Sequence, residues 1–166
     1  MAFFTPLFAQ EKPGRVAAEL PLFEAISGKR LETGTLIPQA GAPALQGTAQ
    51  SFGQPVLGGL WFQVDGVAEY GPAKWGFRWM YRFREQGDKN AVYALYLDTM
   101  GQQVQYQGVY DEAGGTIELQ AKLPDGGTSH NTLAVNADGA VTITSITRDP
   151  QGNEAVKYSA TSVAAP

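Results

Sequence analysis

The sequence predicts an all-β protein: an antiparallel up-and-down β-barrel of about eight to ten strands with one short N-terminal helix. Apolar and polar residues alternate with a period of two along much of the chain, most clearly in residues 116–123. Turns that combine Asp or Asn with Gly recur about every 10–14 residues, with no helical pattern between them. The composition agrees, because the chain has 20 glycines and 11% aromatic residues but only 17% charged residues.

The helix is predicted within AELPLFEAISG, residues 18–28. Pro21 suits a first helical turn, Leu22, Phe23 and Ile26 share one face, and Gly28 is a natural stop. A helix this short is not stable alone, so we expect it to be held by packing on the rest of the domain.

The strands are predicted from alternation and from the turn residues that flank them. The predicted strands are residues 29–37, 45–52, 56–64, 74–83, 90–98, 103–111, 116–123, 131–136, 140–147 and 154–163. Residues 38–44 and 65–73 are predicted to be loops. About ten strongly twisted strands rarely remain an open sheet, and closure removes the unpaired edges, so a barrel is expected, with a two-sheet sandwich as the alternative. We expect residues 1–15 to be a flexible N-terminus and residues 16–166 to form a single β-barrel domain.

Several classes of function are disfavoured by composition. The chain has no cysteine and one histidine, His130, so thiol chemistry and a multi-histidine metal site are excluded. The net charge is −4 and no basic stripe is present, so no nucleic-acid partner is expected, and a surface position is expected for Gly28–Arg30. No segment reaches the roughly 18–20 apolar residues of a membrane span. We predict no cofactor, no metal and no identifiable catalytic residues.

The start of the chain, MAFFTPLFAQ, is apolar but lacks the positive region of a signal peptide. We therefore expect a cytoplasmic protein, with a processed secreted or periplasmic form as the alternative.

The most informative segment is WGFRWMYRF, residues 75–83, in which five aromatic rings alternate with Gly, Arg, Met and Arg. Leaving all five rings exposed would forfeit about 10 kcal/mol of burial energy, so something must cover them. Three arrangements would bury the rings: packing in the core of the barrel, contact with a ligand that shares the core, or contact with a partner subunit such as a second copy of the chain. In the last case Arg78 and Arg82 would point inward. We expect Trp79, the central ring, to be buried.

A small apolar or aromatic ligand is predicted to bind among rings from several strands, because ligand cavities are mostly apolar. The predicted ligand-binding residues are Trp61, Trp75, Phe77, Trp79, Tyr81, Tyr93 and Tyr106.

Four segments together resemble a bacterial family of uncharacterised proteins, DUF1579. They are LFEAISGKRLETGT, VLGGLWF, YALYLDTMGQQVQYQGVYD and RDPQGNEAVKYSATSV, which follow the family's order over residues 20–163. The resemblance implies a lipocalin-like, or calycin-like, barrel and by analogy a ligand cavity. The family has no established general activity that could be carried over to particular residues.

Three functions remain open on the sequence alone. The first is a binding module for a small hydrophobic molecule. The second is a cofactor-independent isomerase, cyclase or lyase on the same barrel. The third is a filled barrel that acts only through its oligomer interface, such as that of a homodimer. A buried ionisable residue in an open cavity favours the enzyme, and the absence of a cavity favours the third function.

Overall fold

The computed structural model describes residues 20–86 and 89–166. Within these residues, one short helix, α1 (Pro21–Ala25), precedes ten strands. The strands are β1 (Gly28–Ile37), β2 (Leu45–Val56), β3 (Trp61–Tyr70), β4 (Ala73–Gln86), β5 (Lys89–Asp98), β6 (Gln103–Asp111), β7 (Thr116–Lys122), β8 (Thr128–Val135), β9 (Val141–Arg148) and β10 (Glu154–Ala164).

The strands form a closed barrel in which each strand pairs antiparallel with the next, and β1 closes the barrel against β10. Leu31 lies opposite Val163 and Ile37 lies opposite Lys157 in that closing pair. The predicted up-and-down barrel with one short helix is therefore confirmed, and the two-sheet sandwich is wrong. The predicted flexible segment, residues 1–15, lies outside the described residues. In the part of the chain that the structure describes, no helix is long and apolar enough to cross a membrane.

Several predicted strand boundaries differ from the structure, most clearly the one between β2 and β3. The apolar run 56–64 was expected to be a strand, but Leu57, Gly58 and Gly59 form a turn between β2 and β3 and have positive φ values of 52°, 69° and 84°. Residues 65–70, expected to be a loop, complete β3. The Asp65-Gly66 pair resembles a turn signal, yet Gly66 lies in the strand beneath the ring of Phe77, where a Cβ atom would come within 2.3 Å of that ring.

The helix α1 closes one end of the barrel. Phe23 is fully buried, and its ring lies 4.6 Å from that of Phe62, 5.5 Å from that of Tyr81 and 4.8 Å from that of Phe83. This contact explains how a helix of five residues is held, because packing supplies the stability that its length cannot. The larger core cluster therefore lies next to α1, and a smaller cluster forms around the fully buried Tyr70 at the end of β3.

Candidate ligand cavity

The barrel also contains a cavity of about 430 Å³. Ile26, which follows α1, lies on its floor, and residues at the turns on the opposite side, Pro38, Ala73 and Gln102, also line it. The volume falls within the range of roughly 300–1,000 Å³ that is usual for small-molecule sites. The barrel therefore contains a cavity of ligand size in addition to its packed core.

One side of the cavity consists of aromatic rings, which we call the aromatic wall. Its members are Trp75, Phe77, Trp79 and Tyr81 on β4, Tyr96 on β5 and Tyr106 on β6. Trp79 is central: its ring lies 5.7 Å from that of Tyr81, nearly parallel to it, and 4.9 Å and 5.2 Å from those of Tyr96 and Tyr106. These spacings are typical of stabilising aromatic pairs.

The orientation of β4 shows whether its aromatic rings face the barrel interior or an outer subunit interface. Arg78 points outward, where its Nε donates to Asp65 Oδ1 at 2.6 Å, and Arg82 lies over the outer ring of Trp61 at 5.8 Å. The inverted arrangement, with arginines inside, is therefore wrong. Trp79 faces inward as expected but is only partly buried, because it borders the cavity and does not lie within the packed core.

Five of the seven predicted ligand-binding residues line the cavity, namely Trp75, Phe77, Trp79, Tyr81 and Tyr106. Trp61 and Tyr93 do not, and their predicted place in the cavity is corrected. Each lies on the outer face of its strand against an arginine, Trp61 against Arg82 and Tyr93 against Arg84 at 5.4 Å. Both have odd numbers on strands whose even-numbered residues face inward, so alternation places them outside.

The opposite side of the cavity carries hydrogen-bonded polar groups, which we call the polar wall. Its members are Arg30 and Glu32 on β1, Ser51 on β2, and Tyr158 and Ser162 on β10. Ser51 Oγ donates to Glu32 Oε1 at 3.2 Å, Tyr158 Oη donates to Glu32 Oε2 at 3.0 Å, and Tyr70 Oη donates to Tyr158 Oη at 3.2 Å. Each carboxyl oxygen of Glu32 therefore has a partner inside the barrel.

Arg30 is held by one residue of the closing strand. Its Nε donates to Ser162 Oγ at 3.2 Å and its Nη2 donates to the Ser162 carbonyl oxygen at 2.7 Å. Arg30 and Glu32 are each only 6% exposed. The expectation that Gly28–Arg30 is a solvated surface is therefore wrong for Arg30.

The polar wall is not predicted from the sequence because the pattern of β1 is misleading. Leu31 and Ile37 lie on the face opposite to Arg30 and Glu32, so the alternation favours placing the charged residues outside. Two of their hydrogen-bond partners, Ser162 and Tyr158, are 132 and 126 residues away on β10. The available signal is that Arg, Glu, Ser and Tyr occur on β1, β2 and β10, which become neighbours when the barrel closes.

The electrostatics of the cavity follow from burial. Burial raises the pKa of Glu32, although the hydrogen bonds from Tyr158 and Ser51 and the attraction of Arg30 oppose the change. Burial also raises the pKa of Tyr81 and Tyr158. These phenols are therefore neutral over the physiological pH range, whereas Glu32 binds its proton more tightly than an exposed glutamate.

A second polar group lies beside the aromatic wall. Tyr106 Oη and Ser129 Oγ are 3.0 Å apart, and Asn131 Nδ2 donates to Ser129 Oγ at 3.5 Å. Near the mouth, Tyr96 Oη donates to Asp98 Oδ2 at 3.1 Å.

His130 has an even number on β8, so it faces away from the cavity, which is lined by Ser129 and Asn131.

The burial of Glu32 predicts a pH-dependent stability. A raised pKa in the folded state stabilises the fold below the unfolded-state pKa, near 4.5, and this contribution is lost as the pH rises through the folded-state pKa. We expect the wild-type free energy of unfolding to decrease over that interval by up to about 1.4 kcal/mol per pH unit. Glu32→Gln should remove this decrease, whereas Glu118→Gln, at an exposed position on β7, should not. Urea unfolding at several pH values measures both, and equal slopes for wild type and Glu32→Gln would contradict the assignment.

The closed antiparallel barrel, its short helix and its internal cavity define a lipocalin-like barrel. Among solved structures, the chain is similar to the S-type phycobiliprotein lyase CPES from Guillardia theta, with a TM-score of 0.63. The match covers 93% of this chain and 96% of that chain at 12% identity, so the likeness shows the fold alone. No family model and no curated protein sequence matches the chain. The resemblance to DUF1579 stays a prediction.

Proposed function

We propose that the barrel binds one small, flat and largely apolar molecule between the aromatic wall and the polar wall. The observation that carries this proposal is the cavity of about 430 Å³ with its wall of six aromatic residues, three of which pack around Trp79. An eight-stranded barrel is just filled by side chains, whereas these ten strands also enclose this cavity. The cavity also argues against a filled barrel that acts only through its outer surface.

The rings give the site a preference for a flat ligand. Trp79 is held in place by three neighbouring rings while part of its surface faces the cavity. A planar molecule lying against these rings gains contact area without displacing any packed side chain. Dissociation constants near 1 μM correspond to about −8 kcal/mol, which contact with several rings can supply.

The positions of the three tryptophans allow a direct test. Trp75 and Trp79 line the cavity, whereas Trp61 lies on the outer face. Because 2-bromonaphthalene quenches indole fluorescence by contact through its bromine atom, we expect saturable quenching with one site per chain in Trp61→Phe. We expect no saturable quenching in the double variant Trp75→Phe/Trp79→Phe, which retains only Trp61. The same titration followed by thermal unfolding should show a rise in Tm with probe concentration.

Quenching that is equal in the two variants, or linear with no saturation in both, would contradict binding in the cavity. Phe is chosen at each position so that the ring, and with it the packing of the wall, is largely retained.

A second candidate function is a cofactor-independent isomerase, cyclase or lyase, and one observation favours it. Glu32 is a buried carboxyl group at the edge of an open cavity, with a raised pKa and a hydrogen-bonded path to Tyr158 and Tyr70. Carboxyl groups in such surroundings are suited to accept or donate protons. A barrel of this shape also occurs in a protein named as a lyase, which is compatible with this candidate but identifies no substrate.

A further inference from the structure

Arg30 is a buried cation with hydrogen-bonding capacity left over. A guanidinium group has five N–H donors, and the hydrogen bonds of Arg30 use Nε and Nη2, both toward Ser162. Among the described residues, none accepts a hydrogen bond from Nη1. Since Arg30 is 6% exposed and lines the cavity, a ligand in the cavity is the partner within reach of these donors.

Glu32 does not accept hydrogen bonds from the remaining N–H donors of Arg30. It lies two residues further along the same face of β1, and no hydrogen bond joins it to Arg30, although the two charges attract each other. Its oxygens are instead occupied by the hydroxyl groups of Ser51 and Tyr158. Hydroxyl groups both donate and accept, so Glu32 can take up a proton without losing either partner.

We propose that the polar wall binds the carboxylate of an aromatic acid, whose rings lie on the aromatic wall, and that Glu32 takes up one proton from solvent when this carboxylate binds. The inference rests on the proposed function, since it needs a ligand in the cavity. It adds the chemical class of that ligand and a dependence of binding on pH.

The charge balance supports this class of ligand. Guanidinium groups and carboxylates have matching geometry and form strong charge-assisted hydrogen bonds. An ionised Glu32 would repel a second carboxylate in the same buried space, so one proton must be shared between the two acids. With Glu32 protonated, the bound anion is matched by the single positive charge of Arg30.

The other groups around Glu32 do not titrate in the relevant range. The titratable and charged groups that face it are Arg30 on β1, Tyr70 on β3, Tyr81 on β4 and Tyr158 on β10. Burial raises the pKa of all three tyrosines above their ordinary value of 10.0, and Arg30 remains charged. Asp98, the other carboxyl group lining the cavity, lies near its mouth and accepts hydrogen bonds from the backbone N–H groups of Met100 and Gln102.

Two probes with the same ring system separate the polar contact from binding in the cavity. We would titrate 2-naphthoate and its neutral analogue 2-naphthamide into the protein by calorimetry between about pH 5.5 and about pH 8.5. Above the pKa of Glu32, the affinity for naphthoate is expected to fall by up to tenfold per pH unit, whereas that for naphthamide should change by less than about twofold. In buffers of different ionisation enthalpy, naphthoate binding should show the uptake of up to one proton.

Variants assign the effect to residues. Glu32→Gln is expected to abolish the pH dependence, and Arg30→Met to weaken naphthoate by more than about tenfold while naphthamide changes much less. Arg82→Met, which alters a partly buried arginine on the outer face, is the matched control and should change neither affinity. If Arg30→Met does not fold, the wild-type pH profile decides the question by itself.

Equal affinities for the two probes with no pH dependence would overturn the carboxylate assignment while leaving the proposed binding function intact. Failure of both probes to bind at any pH would overturn the two together.

Discussion

Phe23→Ala is expected to lower the free energy of unfolding by about 3–5 kcal/mol, as for other large aromatic side chains truncated in a core. Phe23 is fully buried and its ring contacts those of Phe62, Tyr81 and Phe83. Removing it leaves a cavity at the closed end of the barrel. It also removes one of the two fully buried side chains of a helix that is too short to be stable alone.

Glu24→Ala is the matched control, because Glu24 is exposed on the same helix and its truncation should change stability by less than about 0.5 kcal/mol. Chemical denaturation followed by circular dichroism measures both variants. A loss below about 1 kcal/mol for Phe23→Ala would mean that α1 does not close the barrel as described.

Gly108→Ala is expected to destabilise the barrel by about 1–3 kcal/mol or more, although it adds a single methyl group. Gly108 faces the interior on β6, where the backbone of β7 passes so closely that a Cβ atom would lie 1.8 Å from the Glu118 carbonyl oxygen. That neighbour is backbone and cannot rotate away. The two strands must therefore separate, which weakens their ladder of hydrogen bonds.

Gly76→Ala is the control for this prediction. Gly76 faces outward on β4, and the nearest atom to an added Cβ is a methyl group of the Thr99 side chain at 3.1 Å, which a small movement can relieve. We expect its effect on the unfolding midpoint to be within about 1 kcal/mol in either direction. If Gly108→Ala is as stable as Gly76→Ala, the backbones of β6 and β7 do not approach each other closely at Gly108.

The sequence predicts the later strands best, for a physical reason. The bounds of β6, residues 103–111, are predicted correctly because Asp98 and Asp111 begin the flanking turns. Their carboxylates accept backbone N–H groups two residues on, from Met100 and Ala113. In contrast, Leu57–Gly59 forms a turn from an apolar sequence, since the positive φ values of the glycines, and not polarity, allow it.

The aromatic wall is predicted for a similar reason, because strict alternation along β4 places four of its rings on one face. The same rule does not show whether an isolated ring such as Trp61 or Tyr93 lies inside or outside. That choice depends on the register of its strand against β4, where arginines on the outer face stack on both rings.

The polar wall could not be predicted from local sequence. Burial of Arg30 and Glu32 is unfavourable unless each is hydrogen-bonded, and their partners come from β2 and β10. The contacts with β10 exist only after the barrel closes, so the local pattern of β1 carries no sign of them.

The central claim is that the cavity between the aromatic wall and the polar wall is a binding site for a flat, largely apolar molecule. A crystal structure of the protein with 2-bromonaphthalene tests it most directly, because anomalous scattering locates the bromine atom independently of any assumed pose. We predict a bromine peak inside the barrel, with the ring system against Trp79. An empty or side-chain-filled cavity, with bromine found only on the outer surface near Trp61, would contradict it.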